Sequence, residues 1–354
     1  MLAQSFSAHW VILFIPLICL AINAVWLSGL PHPHLIPILA VFLGTMVEMV
    51  PIGIALAVTV RALQYLLVIK PKSPIRALIA DAVNVLTKPA SFINGFPVLM
   101  AIVVYNKAFL DLKPQIPFLN PFKWDQTFAW LDRTLHFGID PWRILQPVMG
   151  FSYVTFASCV LYNLWFFVLL GSLFWFAFQE KSTELRTRFF LSYMLIWWLG
   201  GELLADYFSS AGPAYYSRLG LTPDPYAELM TYLHGANSQF TIWSLGTQDM
   251  LWNSYLENSG YMGISAFPSM HNASAVLFAL AFRHINKYLG WFFMAYAAII
   301  LVTSVHLAWH YAVDGYAAII ISCTCWWLCG LVARAIHRQP TMQRHTQNLA
   351  VLAS

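Results

Sequence analysis

Charge is what this sequence has least of. Of its 354 residues only 10% are Asp, Glu, Lys or Arg, against roughly a quarter in an ordinary soluble chain, while 59% are hydrophobic. So little charge excludes a water-soluble globule and identifies a polytopic membrane protein. The formal net charge of +4 is too small to mark a nucleic-acid binder. Cysteine is also scarce. There are five, an odd number, so a complete disulfide framework is excluded. Cys323, Cys325 and Cys329 sit in the apolar run IIISCTCWWLCGLV, without the His or carboxylate neighbours that usually complete a metal site, and read as small residues packed between helices. The first thirty residues contain no Lys or Arg. A secretory signal starts with a basic segment, so this stretch reads as a retained first span. No soluble domain, internal repeat or low-complexity tract is evident.

What remains is apolar sequence in helix-length runs. About twenty apolar residues cross a bilayer, and eight spans are predicted, near 10–30, 35–60, 92–110, 152–177, 189–208, 271–290, 291–308 and 312–335. The second is expected to break or tilt near Pro51. Lys and Arg gather after the second, fourth, sixth and eighth spans. The positive-inside rule then puts both termini in the cytoplasm, and segments 111–150, 209–270 and 305–314 on the opposite, periplasmic or lumenal, face. Segment 125–150 reads as short interfacial helices, with Trp130 and Trp142 at headgroup level. His9, His32, His34, His136 and His234 read as interfacial or loop residues, and the tail after Arg338 as loose.

Two polar motifs interrupt the apolar pattern on that same face. In SAFPSMHNASA, Pro268 ends the preceding chain and Ser269 is a candidate N-cap for the helix that follows. The first amides of that helix form an anion site, and His271 lies in the first turn, where it could protonate a leaving oxygen. In TSVHLAWHYAVDGYA, His310 and Asp314 are four apart, which puts them on one helical face. The carboxylate would fix the imidazole tautomer, as in a catalytic base or nucleophile. A phosphate site also needs a cation. Arg218 is the one Lys or Arg between Arg188 and Arg283, and it is expected to clamp phosphate beside Tyr215 and Tyr216, with Arg143 a weaker candidate. His306 is read equally as a strut and as a site member. Glu202 and Asp206 read as structural support.

Together, Pro268-Ser269-Met270-His271 and His310 with Asp314 resemble the type 2 phosphatidic acid phosphatase superfamily. Within it, Gly212-Pro213 followed by Tyr215 or Tyr216 resembles the inositol phosphorylceramide synthase-like branch. The resemblance implies an all-α polytopic bundle with a six-helix core. Residues 1–90 would be a two-span extension, 91–338 the catalytic membrane domain, and 339–354 a flexible cytoplasmic tail. It also implies that His310 becomes a phosphohistidine, that Asp314 orients it, and that His271 protonates the leaving group, with neither metal nor cofactor. Ser269, Arg218, Tyr215, Tyr216 and His306 would bind substrate. The donor would be a lipid phosphate or phospholipid. The acceptor would be water or a hydroxyl on a polyol lipid, ceramide or diacylglycerol-like molecule. The phosphatase branch's first block, Lys, six residues and Arg-Pro, is not found, and Thr303 and Ser304 stand where its third block has Ser-Arg.

Head-group transfer of the inositol phosphorylceramide synthase type is the favoured expectation, with a water-using lipid phosphate phosphatase as the alternative. His306 and His310 also have the H-x-x-x-H spacing of a zinc site, which would suit a ceramidase-like hydrolase. A non-catalytic lipid binder or transporter is the remaining option. The 219–262 loop, with Asp249, Trp252, Asn253, Tyr255 and Glu257, is expected to choose the head group.

Overall fold

The computed structural model describes residues 2–30, 35–87, 89–179, 181–259 and 263–352, so His32 and His34 lie outside the described residues. Among the described residues the chain is helical, without a strand. In chain order the helices are α1 (Leu2–Leu27), α2 (Ile38–Gln64), α3 (Pro74–Thr87), α4 (Pro89–Leu112), α5 (Asp125–Leu135), α6 (Pro141–Met149), α7 (Ser152–Ala177) and α8 (Glu184–Trp198). After these come α9 (Ala227–Asn237), α10 (Trp243–Glu257), α11 (Met270–Arg283), α12 (Lys287–His306) and α13 (Ala312–Leu352). The tail expected after Arg338 thus continues as backbone helix to Leu352.

Six described helices are long and apolar enough to cross a membrane: His9–Leu27, Ile38–Gln64, Phe92–Leu119, Ser152–Ala177, Lys287–His306 and Ala312–Arg338. Large apolar side chains on them, including Val25, Leu39, Ile54, Phe166, Trp291 and Ile320, face outward. A surface of that kind is stable only against lipid. The protein is therefore an integral membrane protein.

The other two expected spans take a different form. The sixth stops at Arg283. Asn286 then caps a new helix by accepting the Tyr288 amide at 2.8 Å, so α12 starts at Lys287 rather than 291. At 1.5 Å per residue α11 is only about 21 Å long, and nearly every residue in it is buried by protein. The fifth, α8, continues through a widened turn at Leu199–Leu204 and carries Arg186, Arg188, Glu202 and Asp206 on a largely enclosed surface. Hydropathy counts apolar residues but does not separate those that face lipid from those that face other helices.

Pro51 does not break α2. The helix widens into a π-turn at Thr45–Met49, just before the proline. Pro51 lacks an amide and its ring crowds the carbonyl four residues back, and a wider turn gives that carbonyl room.

One charged side chain organises the end of the bundle away from the two motifs. Arg186 is fully buried, and its guanidinium donates to the carbonyls of Phe176 at 2.7 Å, Ala177 at 2.7 Å and Asn94 at 2.8 Å, and pairs with His9 Nε2. Two of those carbonyls end α7, where no intrahelical donor remains. His9, expected at the interface, is thus buried. Trp142 is also buried, with its Nε1 donating to the Pro225 carbonyl at 3.1 Å, while Trp130 is exposed. All five cysteines are free.

Arg186→Lys should lower thermal stability in detergent by about 2 kcal/mol or more, because one ammonium cannot replace a planar fork and leaves buried carbonyls without donors. A melting temperature equal to wild type would show that the guanidinium does not hold α4, α7 and α8 together.

Candidate active site

The two motifs lie on adjacent helix starts. Ser269 is the N-cap of α11, and its hydroxyl accepts from the Asn272 amide at 3.4 Å and from Asn272 Nδ2 at 3.0 Å. The first amides of α11 have no intrahelical acceptor. The Ser269 amide donates to the Asp314 carbonyl at 3.2 Å, which joins one motif to the other through the backbone.

His310 does not share a helical turn with Asp314, because α13 begins at Ala312, after it. Asp314 is the third residue of α13. Its carboxylate reaches back to the helix start, where Oδ2 accepts from the Tyr311 amide at 3.0 Å and lies 3.3 Å from His310 Nδ1. This is the reach-back half of a capping box, with the imidazole added. A contact of 3.3 Å is long for a catalytic hydrogen bond, and such contacts tighten when substrate binds. His310 is buried. Burial pushes its pKa down, the Ala266 carbonyl beside the ring opposes this, and the positive charge of Lys113 adds to it. The ring is therefore neutral near pH 7, as a nitrogen nucleophile must be.

The rings of His271 and His310 are neighbours, 6.4 Å apart between centroids. His271 is packed among aromatics, with Tyr162 parallel to it at 4.4 Å, Trp165 at 4.0 Å and Phe166 edge-on at 5.8 Å. Its Nε2 is buried and has no hydrogen-bond partner in the protein.

A cation that charge counting along the sequence did not pick out acts on both histidines. Lys113, at the end of α4, lies within electrostatic range of both His271 and His310, with its ammonium over the Phe109 ring at 5.4 Å. Lys107 is paired with Asp111. Arg218 lies on the exposed rim, paired with Asp249 and near the rings of Tyr215 and Trp252. Arg143 is likewise at the surface, 2.7 Å from Glu228.

Tyr215 and Tyr216 are buried in packing roles. Tyr215 donates to the Gln248 carbonyl at 3.1 Å and stacks on Trp252, while Tyr216 meets the edge of Tyr226. His306 is separated from the pair. Its Nε2 lies 2.9 Å from Thr155 Oγ1, which is in turn 2.7 Å from the Tyr232 hydroxyl. Because α12 ends at His306 and Ala308 takes a left-handed φ of 58°, His306 and His310 are not on successive turns of one helix. Among the described residues no three His, Cys, Asp or Glu side chains converge as a metal-binding group.

Two further carboxylates hold the site, and both come from the interfacial helix α5. Asp125 accepts from the amides of Ala211 at 3.0 Å and Gly212 at 2.8 Å, and from the Tyr311 hydroxyl at 2.8 Å. Asp132 accepts from the amides of Ala312 and Val313, both at 2.8 Å. Between them, Phe128 stacks on Phe267 at 4.7 Å. Asp125 thus holds the Gly212-Pro213 loop, and Asp132 holds the start of α13. Gly212 has a φ of 104°, and a Cβ there would come within 2.8 Å of the Trp309 carbonyl, so this loop requires glycine. The signal in the sequence was a stripe: Asp125, Phe128, Ala129 and Asp132 are all buried on one face of α5.

A family model described as the PAP2 superfamily matches residues 126–328, more than half of the chain. The chain belongs to the PAP2 superfamily. No curated protein and no solved structure matches it. Both motifs, with His271, His310 and Asp314, fall inside the PAP2-matching stretch. Membership gives the class of chemistry, phosphatase or phosphotransferase reactions on lipid phosphates.

Asp132 gives a pH test of the clamp. Burial raises its carboxyl pKa to about 7, against the lowering effect of the Ala312 and Val313 amides, with Asp314 adding a further rise and His136 a lowering. A carboxyl raised above its unfolded value binds more protons when folded, so it favours the fold below the unfolded value, and that contribution is lost as pH rises through about 7. Thermal stability of wild type should fall between pH 5 and pH 8, and Asp132→Asn should flatten that slope. An equal slope in the variant would remove Asp132 as its source.

Proposed function

We propose that the protein is a membrane-embedded lipid phosphotransferase that works through a phosphohistidine on His310. The observation that carries this is the pairing of a buried, neutral His310, backed by Asp314, with His271 only 6.4 Å away at a helix start. His310 attacks phosphorus, and the bond from phosphorus to the leaving oxygen breaks. His271 gives a proton to that oxygen. Asp314 sits beside the charged phosphoimidazole that results. In the second half His271 takes a proton from the acceptor hydroxyl, the acceptor oxygen attacks phosphorus, and His310 is released. Lys113, the Ser269 hydroxyl and the first amides of α11 hold the phosphoryl oxygens.

The Gly212-Pro213 loop favours head-group transfer of the inositol phosphorylceramide synthase type, from a phospholipid donor to a lipid hydroxyl. A lipid phosphate phosphatase using water is the second reading, and it uses the same residues. The basic side chains around Arg186, Arg188, Arg283 and Arg334 lie at the other end of the bundle. By the positive-inside rule that end is cytoplasmic, and the reaction faces the periplasm or lumen.

His310→Ala should abolish turnover, and acid-labile phosphate should be trapped on wild type but not on that variant. His271→Gln should slow turnover by about 10²–10⁴-fold. Activity in His310→Ala equal to wild type would end the proposal. With labelled phospholipid, with and without ceramide or diacylglycerol, a new phospholipid marks a transferase and inorganic phosphate marks a phosphatase. Turnover is expected to persist in EDTA.

Lys113→Ala should lower kcat/KM by about 100-fold, the scale of a charge-assisted contact in a low-dielectric site. Arg218→Ala should change it less than about 10-fold, as expected for an exposed ion pair. The reverse order would return the phosphate contact to Arg218.

A further inference from the structure

An indole N–H is a donor with no acceptor beside it, carried on a rigid ring. When buried it normally finds a partner, as Trp142 does on the Pro225 carbonyl. Around His271 three indoles do not. Trp165 is 2% exposed and lies 4.0 Å from the His271 ring. Trp197 stacks with Trp165 at 6.2 Å. Trp309, next to His310, is parallel to Tyr162 at 6.3 Å, and Tyr162 is parallel to His271. The Nε1 atoms of Trp165, Trp197 and Trp309 are all buried and lack any hydrogen-bond partner in the protein. Trp124 and Trp198 also lack one, but neither is in ring contact with His271, Tyr162 or Trp165.

The three come from α7, α8 and the loop between α12 and α13, so no single helix accounts for them. Unpaired donors in a low-dielectric site have a high cost unless something supplies acceptors. An indole donates to oxygen and cannot accept from a hydroxyl or bind a cation through nitrogen. What fits is a group rich in oxygen acceptors, and the reacting centre of a phosphate ester is such a group. Thr303 and Ser304 stand where the phosphatase branch has Ser-Arg, so that position offers no guanidinium donor.

We propose that Trp165, Trp197 and Trp309 are substrate-binding residues, a neutral donor set for the phosphoryl oxygens held between His271 and His310. The proposal rests on the phosphohistidine reading of that pair. Hydrogen bonds to an anionic oxygen are stronger than neutral ones, and burial strengthens them again. Lys113 supplies the charge, and the indoles supply direction.

The test uses the full chain in detergent and orthovanadate as the phosphoryl probe. Trp165→Phe, Trp197→Phe and Trp309→Phe keep a ring and delete the N–H. Each should weaken vanadate binding by about 10-fold, with a melting temperature equal to wild type. Trp291→Phe, at a lipid-facing position 73% exposed, should bind as wild type does. A second readout needs no folded variant: saturating vanadate should shift three of the fifteen indole N–H resonances in tryptophan-labelled wild type. If wild type binds vanadate but no indole resonance moves and the three variants bind equally well, this inference alone is overturned. If wild type does not bind vanadate, the histidine reading is overturned with it.

Discussion

The site depends on carboxylate oxygens from one short helix meeting backbone amides from two distant loops. Asp125 and Asp132 are two turns apart on α5. One holds the loop at Gly212 and the other holds the start of α13, next to His310. Phe128, between them, packs on Phe267 just before Ser269. One short helix thus touches the Gly212 loop, the chain just before Ser269 and the start of α13. Backbone amides are good targets for such a clamp, because their positions are fixed by the chain and do not depend on side-chain rotamers.

The same logic works at the far end of the bundle with the sign reversed. Arg186 gives donors to carbonyls that end α7, whereas Asp132 gives acceptors to amides that start α13. Both ions are buried, and both are held by the unpaired groups of a helix terminus. These two ends differ from the start of α11. The amides of α13 are taken by Asp132 and Asp314. At the start of α11 no carboxylate takes the amides; Ser269 caps only that of Asn272, which leaves the helix start suited to an anion.

How much of this was legible in the sequence depends on distance along the chain. Ser269 as an N-cap is a local matter, and it is found as read. His310 and Asp314 do meet, but through a capping reach-back at a helix start rather than across a helical turn, because the left-handed turn at Ala308 delays α13. The cation is the part that sequence position leaves open. Arg218 is isolated in sequence, but sequence isolation carries no information on distance, and its partner is Asp249 at the rim. Lys113, far from both motifs in sequence, lies just after the end of α4, within electrostatic range of the histidines. The eight predicted spans became six lipid-facing ones plus two enclosed helices, since α8 and α11 are buried by other helices and hydropathy is blind to what does the burying.

The position of Lys113 bears on how modular this enzyme family is. The stretch that marks the PAP2 superfamily begins at residue 126. Lys113 and Asp125 both precede it, and Lys113 sits at the end of a helix that packs along α1. A graft of the matched stretch into another membrane scaffold would carry both histidines and leave behind Lys113 and the Asp125 half of the clamp. The helices before residue 126 pack on the bundle but lie outside the stretch by which the family is recognised.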